Sequence, residues 1–323
     1  MQNYNFIQKL FHDIVLGNKF INKSLFEFEK FFYLKNNDIK NQLHIFISGL
    51  PRSGTTSILN FIYSFNQHAS LTYKNMPFVL SPNFSNLFNK ENILKKERLH
   101  GDGIIYDINS PEALDEIFFK NDEKFIKNEL LNYLQLILFS KKRFKYLSKN
   151  NLNYKRINLI NSILPKSIFL IPIREPLQHA FSLLNQHLRF NELQKKDKFI
   201  LRYMNYLGHN EFGLNHKSWH QPINFHDQNK INYWLEQWFL FYELIFKKYS
   251  SHKNCIFVVY EELVNPNYLR VLLNKINLDK VKDHNFDYIK NLNKKEININ
   301  FSNNMYEKTK DLYVAFKDKS LIK

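Results

Sequence analysis

The sequence predicts an α/β fold, a P-loop-like parallel sheet flanked by helices on both faces. Three observations carry this expectation. Short apolar runs at residues 43–48, 167–173 and 255–260 are rich in β-branched residues and lack polar alternation, as strands buried on both faces do. Long amphipathic stretches, 128–139 and 231–249 among them, lie between those runs, and such strand–helix alternation builds parallel sheets. The first run stops at Gly49, and helical spacing resumes at Ser57-Ile58-Leu59-Asn60-Phe61-Ile62-Tyr63, so a glycine loop joins strand to helix.

The elements follow in order. Residues 1–40 read as a helical lead-in, with Phe26, Phe28, Phe31, Phe32 and Leu34 interleaved with Glu27, Glu29 and Lys30 before an Asn36-Asn37-Asp38 break. The strand 43–48 and its glycine loop come next. A fifth strand is expected at 70–73 and a fourth at 144–147. Pro176 starts a helix after the strand 167–173, and Asn265-Pro266 opens another, 268–276, after the strand 255–260. Residues 277–323 form a C-terminal extension of helix and loop. The chain has 323 residues without internal repeat or Gly/Ser- or Pro-rich linker, so residues 1–323 are expected to form a single domain. Ligands of such sheets bind beyond the carboxyl ends of the strands. That rule selects the loops after Ser48, Leu147, Ile173 and Tyr260.

Composition narrows the class. Hydrophobic residues at 44% and charged residues at 24% exclude wholesale disorder. A single cysteine, Cys255, excludes an intrachain disulfide framework and fits a reducing compartment. No secretory signal is visible at the N-terminus, and no apolar run approaches the ~20 residues of a membrane helix. The expectation is a soluble, cytoplasmic protein without integral membrane contact. The net charge of +16 has two readings. It favours anionic ligands through a long-range field, and a sequence heavy in Lys, Asn, Ile, Phe and Tyr also follows from AT-rich coding.

Gly49-Leu50-Pro51-Arg52-Ser53-Gly54-Thr55-Thr56 has phosphate-loop spacing, and backbone N–H groups at a helix N-terminus make an anion cradle there. The nucleotide-triphosphatase motif places Lys after the second glycine. Here that place is Thr55, and the cation has moved into the loop, to Arg52. The segment Pro51 to Thr56 resembles the 5′-phosphosulfate loop of sulfotransferases that use 3′-phosphoadenosine 5′-phosphosulfate (PAPS). A second match supports the resemblance: Arg174-Glu175-Pro176 follows a strand, and Ser182 lies eight residues on, about two helical turns along the same face. In the family that Arg and Ser hold the 3′-phosphate. Tyr260-Glu261-Glu262-Leu263 resembles a third family segment, in which Tyr260 either packs near the adenosine or caps the core. The Gly-rich basic segment that cytosolic members carry near the C-terminus has no counterpart, since residues 300–323 contain no glycine.

The resemblance implies a sulfotransferase with PAPS as co-substrate, adenosine 3′,5′-bisphosphate as product and no metal. It implies cofactor contacts from Arg52, Ser53, Gly54, Thr55, Thr56, Ser57, Arg174, Ser182 and Tyr260. Sulfuryl transfer needs in-line positioning, charge stabilisation and one general base within reach of the acceptor. Family members with the closest loop carry a Glu about twenty residues past the loop Arg, where this chain has Tyr73-Lys74-Asn75. The base is therefore sought in the polar stretch that follows, with His100 and Asp102 ranked first and Glu112 next. The competing reading is a solvated turn followed by a helix with Ser110 as N-cap and Glu112, Asp115 and Glu116 in its first turns. Lys149 is expected to follow a strand into the crevice and to stabilise sulfuryl charge or bind an acidic acceptor. Around it, residues 141–156 hold seven basic residues and no acid, which reads as a polyanion patch or as a solvated strand edge.

Residues 209–220 hold three of the twelve histidines, with His226 just beyond. His216 and His220 have the spacing of a helical zinc pair, but Gly213 and Pro222 argue for loop. The preferred reading is an acceptor-binding loop, with Gln186-His187 facing the same space. Tyr233, Trp234, Trp238 and Tyr242 read as the buried stripe of a helix. The acceptor is expected to be a glycan, a lipid-linked sugar or a small metabolite of a bacterial cell, with no nucleic-acid partner. The alternatives are a P-loop-type nucleotide-dependent kinase and a non-catalytic protein that binds polyanions or nucleic acid.

Overall fold

A computed structural model describes residues 5–35, 37–88, 96–97, 105–278 and 296–321. The lead-in is two helices, α1 (Phe6–Gly17) and α2 (Lys19–Tyr33), separated by Asn18, whose side chain accepts from the Phe20 and Ile21 amides and caps α2. Then come β1 (Ile45–Ile47), α3 (Thr55–Ser64), β2 (His68–Ala69), α4 (Pro82–Phe88), β3 (Lys96–Glu97), β4 (Ile105–Tyr106), α5 (Glu116–Phe119), α6 (Glu123–Lys141) and β5 (Lys145–Lys149). The second half holds α7 (Ile157–Ile163), β6 (Ile168–Ile173), α8 (Pro176–Lys196), α9 (Lys198–Leu207), α10 (Ile231–Tyr249), β7 (Cys255–Val259), α11 (Pro266–Lys275) and α12 (Asn303–Asp318).

Five strands form one parallel sheet in the order β2-β5-β1-β6-β7. Alternate residues of each strand feed two cores, as the pleat requires. Ile45, Ile47, Leu147 and Leu170 pack under α3 and α11, while Phe46, Tyr146, Phe169, Ile171 and Phe257 face α6, α8, α10 and α12. Phe46 stacks on its register partner Phe169, with ring centroids 5.6 Å apart. Such a pair adds about 1 kcal/mol beyond area burial. On the same side Trp234, Trp238 and Tyr242 form the buried stripe of α10, and the Tyr242 hydroxyl donates to the Pro172 carbonyl at 2.8 Å.

Two expectations are corrected. The edge strand is His68–Ala69 rather than 70–73, because Thr72 instead bridges antiparallel to Pro111 and residues Tyr73–Asn75 turn into a 3-10 helix. Lys149 does not follow its strand but ends it, paired with Ile47. Because β1 sits at the centre and its helix α3 packs on one face while α8, after β6, packs on the other, the loops after β1 and β6 diverge. The crevice between them is where this class of sheet binds ligands.

Candidate active site

The glycine loop is held from below. Ser53 is fully buried and its hydroxyl donates to the Leu50 carbonyl at 2.7 Å, so it fastens the loop instead of facing the cleft. His179 donates from Nε2 to the Pro51 carbonyl at 2.8 Å. Burial first, then the charges of Arg174 and Arg52, push this histidine down to about 3, so it stays neutral. Arg52 and Gly54 both adopt positive φ, 70° and 96°. At Gly54 a Cβ would overlap the ring of Tyr260, so glycine is needed there for both conformation and space. α3 begins at Thr55 without a side-chain cap, which leaves its first N–H groups directed at the loop mouth.

The second wall comes from β6. Glu175 caps α8 through the Gln178 amide at 2.7 Å, and Pro176 occupies the first turn. Arg174 donates to the Arg52 carbonyl at 3.1 Å and lies over the Tyr260 ring at 4.9 Å, a cation–π contact. Arg52 Nε donates to Ser182 Oγ at 3.3 Å. Arg52, Arg174, Ser182 and Tyr260, scattered over the sequence, thus converge on one corner of the cleft. Tyr260 lines that cleft and, half-buried, also packs against the core beneath α3 and α11.

The third wall is the acid. The Thr72–Pro111 bridge, with Glu112 N–H donating to the Leu71 carbonyl at 3.0 Å and Lys74 N–H to the Ile108 carbonyl at 2.7 Å, lays 108–112 beside 71–74. Glu112 therefore arrives next to Tyr73, whose hydroxyl donates to it at 2.6 Å. Lys149 Nζ donates to both Glu112, at 3.1 Å, and Thr56 Oγ1, at 2.9 Å, and so joins the acid to the helix that follows the glycine loop. Lys149 and Glu112 are nearly buried, with side-chain exposures of 10% and 9%. His100 and Asp102 lie outside the described residues.

Beneath this wall the reading of solvated acids fails. Ser110 closes its own turn with Asp107 rather than capping a helix. Asp115 is buried and accepts from Ser148, Tyr146 and Asn150, and burial pushes its carboxyl up. Arg156 holds Glu116 with two bonds, 2.8 and 3.0 Å. The basic segment 141–156 is accordingly not a uniform solvated edge: Lys149 and the partly buried Arg156 are held in ion pairs, and Lys141 donates to Thr72 at 3.0 Å.

The cleft has a volume of about 330 Å³. Its far side, which sequence reasoning missed, is Phe190 from α8, Tyr203, Met204 and Leu207 from α9, and Tyr106 against Tyr73, rings 4.2 Å apart. The apolar periodicity of 199–207 was the available signal, and it does not separate a core face from a cleft wall. From the segment 209–220, His209, Glu211 and Phe212 reach the cleft. His209 donates to the Ala113 carbonyl at 3.1 Å and pairs with Glu211 at 3.4 Å. Burial pushes His209 down, but the adjacent Glu211 charge raises it overall. His216 and His220 turn to different partners, Tyr233 and Tyr154, so the zinc-like spacing is not realised as a pair. Gln186 lines the cleft, whereas His187 is buried against Asn191 and Trp234.

The sequence profile of the Sulfotransferase family matches residues 44–271, which spans every wall just described. The chain belongs to that family, and the kinase reading is set aside. No curated protein matches it. Solved structures that resemble it include sulfotransferase STF1 from Mycobacterium tuberculosis H37Rv, at 10% identity and a TM-score of 0.49, covering 98% of this chain and 86% of that one. Sulfotransferase STF9 from Mycobacterium avium resembles it at 12% identity and a TM-score of 0.45, over 96% and 79%. The sulfotransferase domain of the Synechococcus PCC 7002 olefin synthase does so at 11% and 0.36, over 88% and 98%.

Proposed function

We propose that the chain moves the sulfuryl group of PAPS to a hydroxyl or amine of an acceptor, a glycan, lipid-linked sugar or small metabolite, by in-line transfer. The observation that carries this reading is a single run of contacts: Ser182 to Arg52, the Arg52 loop to Thr56, Thr56 to Lys149, and Lys149 to Glu112. It sets an anion cradle at one end and a carboxylate at the other. Two arginines and a helix N-terminus suit a donor with separate 5′- and 3′-anionic groups.

When bound, PAPS supplies a sulfuryl group on a phosphate leaving group. Arg52, the Gly54, Thr55, Thr56 and Ser57 amides and the threonine hydroxyls neutralise the 5′-phosphate as the S–O bond breaks. Ser53 keeps the loop in shape for that work. Arg174 and Ser182 hold the 3′-phosphate, and Tyr260 lies beside the adenosine. Glu112 takes the acceptor proton as the new O–S or N–S bond forms, and Lys149 offsets the charge between them. His100 and Asp102 are the other candidates for the base. Titration with adenosine 3′,5′-bisphosphate tests the donor: binding without Mg²⁺ that is lost in Arg174→Ala is expected. Binding of ATP–Mg²⁺ without binding of the bisphosphate would overturn the reading.

A further inference from the structure

We infer that the N-terminal helical pair is a docking surface for an anionic lipid bilayer, with α1 and α2 lying in the plane of its headgroups. Each helix sets large apolar residues on its outer face as well as burying residues on the face that meets the fold. On α2, Phe26 is fully buried with Asn22 and Glu29 beside it. On the opposite side Phe20, Phe28, Phe31 and Phe32 stand 79%, 61%, 83% and 65% exposed. α1 repeats the pattern: Val15 and Leu16 enter the core, while Phe6, Ile7, Leu10, Phe11 and Ile14 face outward. A surface helix ordinarily spends its outer face on polar residues, so two adjacent helices with apolar outer faces mark a binding surface.

The patch continues beyond the pair. Phe32 meets Phe84 of α4, with centroids 6.4 Å apart, and Leu87 on the same helix is 69% exposed.

Charge selects the occupant. Lys19 and Lys23 border the α2 phenylalanines, and Glu27 beside them is paired with Lys30 at 2.9 Å, so the two lysines leave the margin positive; Lys23 and Lys35 also lie over the Phe125 and Phe139 rings of α6 at 4.8 and 4.7 Å. Phenylalanines flanked by lysines suit the boundary between acyl chains and anionic headgroups. A second copy of this chain would bring the same lysines and a net charge of +16 against themselves. No described helix is long and apolar enough to cross a membrane, so the contact is peripheral. The inference does not depend on the donor or on the base.

Flotation with extruded vesicles tests it on the full-length chain. Binding to phosphatidylcholine vesicles containing phosphatidylglycerol is expected, weaker to phosphatidylcholine alone and weaker again at high salt. Phe20→Ser/Phe31→Ser removes only exposed rings and should lower the partition coefficient about tenfold or more, with an unchanged melting temperature. Lys19→Glu/Lys23→Glu should lower it while leaving every exposed phenylalanine in place, which keeps the test open if the first variant misfolds. Absence of binding to the anionic vesicles overturns the proposal. So does equal binding by both variants, or a lipid-free dimer that Phe20→Ser/Phe31→Ser dissociates.

Discussion

Glu112 shows how one residue acquires a place that local sequence does not announce. Counting from Arg52 points to Tyr73, which carries no acid. The antiparallel contact of 71–74 with 108–112 brings the carboxylate to that same spot, where Tyr73, Lys149 and the Ala113 amide fix it. Glu112→Gln keeps the shape and one accepting oxygen for Lys149 and the Ala113 amide while removing the charge and proton acceptance. Turnover is expected to fall by about a hundredfold or more, with bisphosphate affinity unchanged by titration. If that variant retains full turnover and His100→Ala or Asp102→Ala does not, the base lies in the segment around residue 100. At the loop, Gly54 and Tyr260 are matched in the other sense: the missing Cβ is what lets the ring lie on the loop.

Among the elements, α12 has a position the sequence hid. Its Tyr306 hydroxyl donates to Glu175 at 3.2 Å, and Tyr313 donates to Glu261 at 2.7 Å. Glu261 in turn accepts from the Glu175 amide at 2.9 Å. The helix thus braces both residues that neighbour Arg174 and Tyr260. Tyr306→Phe/Tyr313→Phe should raise the KM for the donor by about tenfold and leave kcat and the acceptor KM close to normal, since bonds to charged groups are lost away from the reacting atoms. Steady-state kinetics with each substrate varied would read this, and a matching fall in kcat would count against a bracing role. The strands β1, β6 and β7 were legible because each lies in a continuous apolar run with clear bounds, and α10 because its apolar stripe is long. The two-residue β2 was not, being an edge strand too short for a pattern. The corner formed by Arg52, Arg174 and Ser182 was legible from motif spacing, whereas the place of Glu112 beside Tyr73 and Lys149 rests on a long-range pairing that no local signal encodes.

For the molecule as a whole, buried histidines set the response to acid. Burial pushes His68 and His179 down to about 3 and His187 and His216 to about 4. His12, His44 and His220 are lowered as well. Below their ordinary value of 6.5 the unfolded chain takes up protons that the native chain does not, so stability falls as pH falls through that value. Glu29 opposes this. Burial raises it to about 7, so between 4.5 and about 7 the native state holds a proton that the unfolded state lacks. Two raised carboxyls, Glu29 and Asp115, together with the raised His209, face seven lowered histidines. The melting temperature should therefore drop between about pH 7 and about pH 5. His68→Leu should flatten that slope, because neither ring nitrogen of His68 has a hydrogen-bond partner among the described residues. A melting temperature that rises over the same interval would contradict the argument.

The central place of β1 also orders events in time. The loop that follows it meets Arg174 across 122 residues and Ser182 across 130. At about 5–20 residues per second on the ribosome, the cradle waits roughly 6–26 s between the synthesis of its first half and that of its second. The nucleotide donor proposed above therefore has no finished pocket to seize on the emerging chain. It can stabilise the enzyme only after the sheet has closed, as a custodian of the completed fold and not as its midwife.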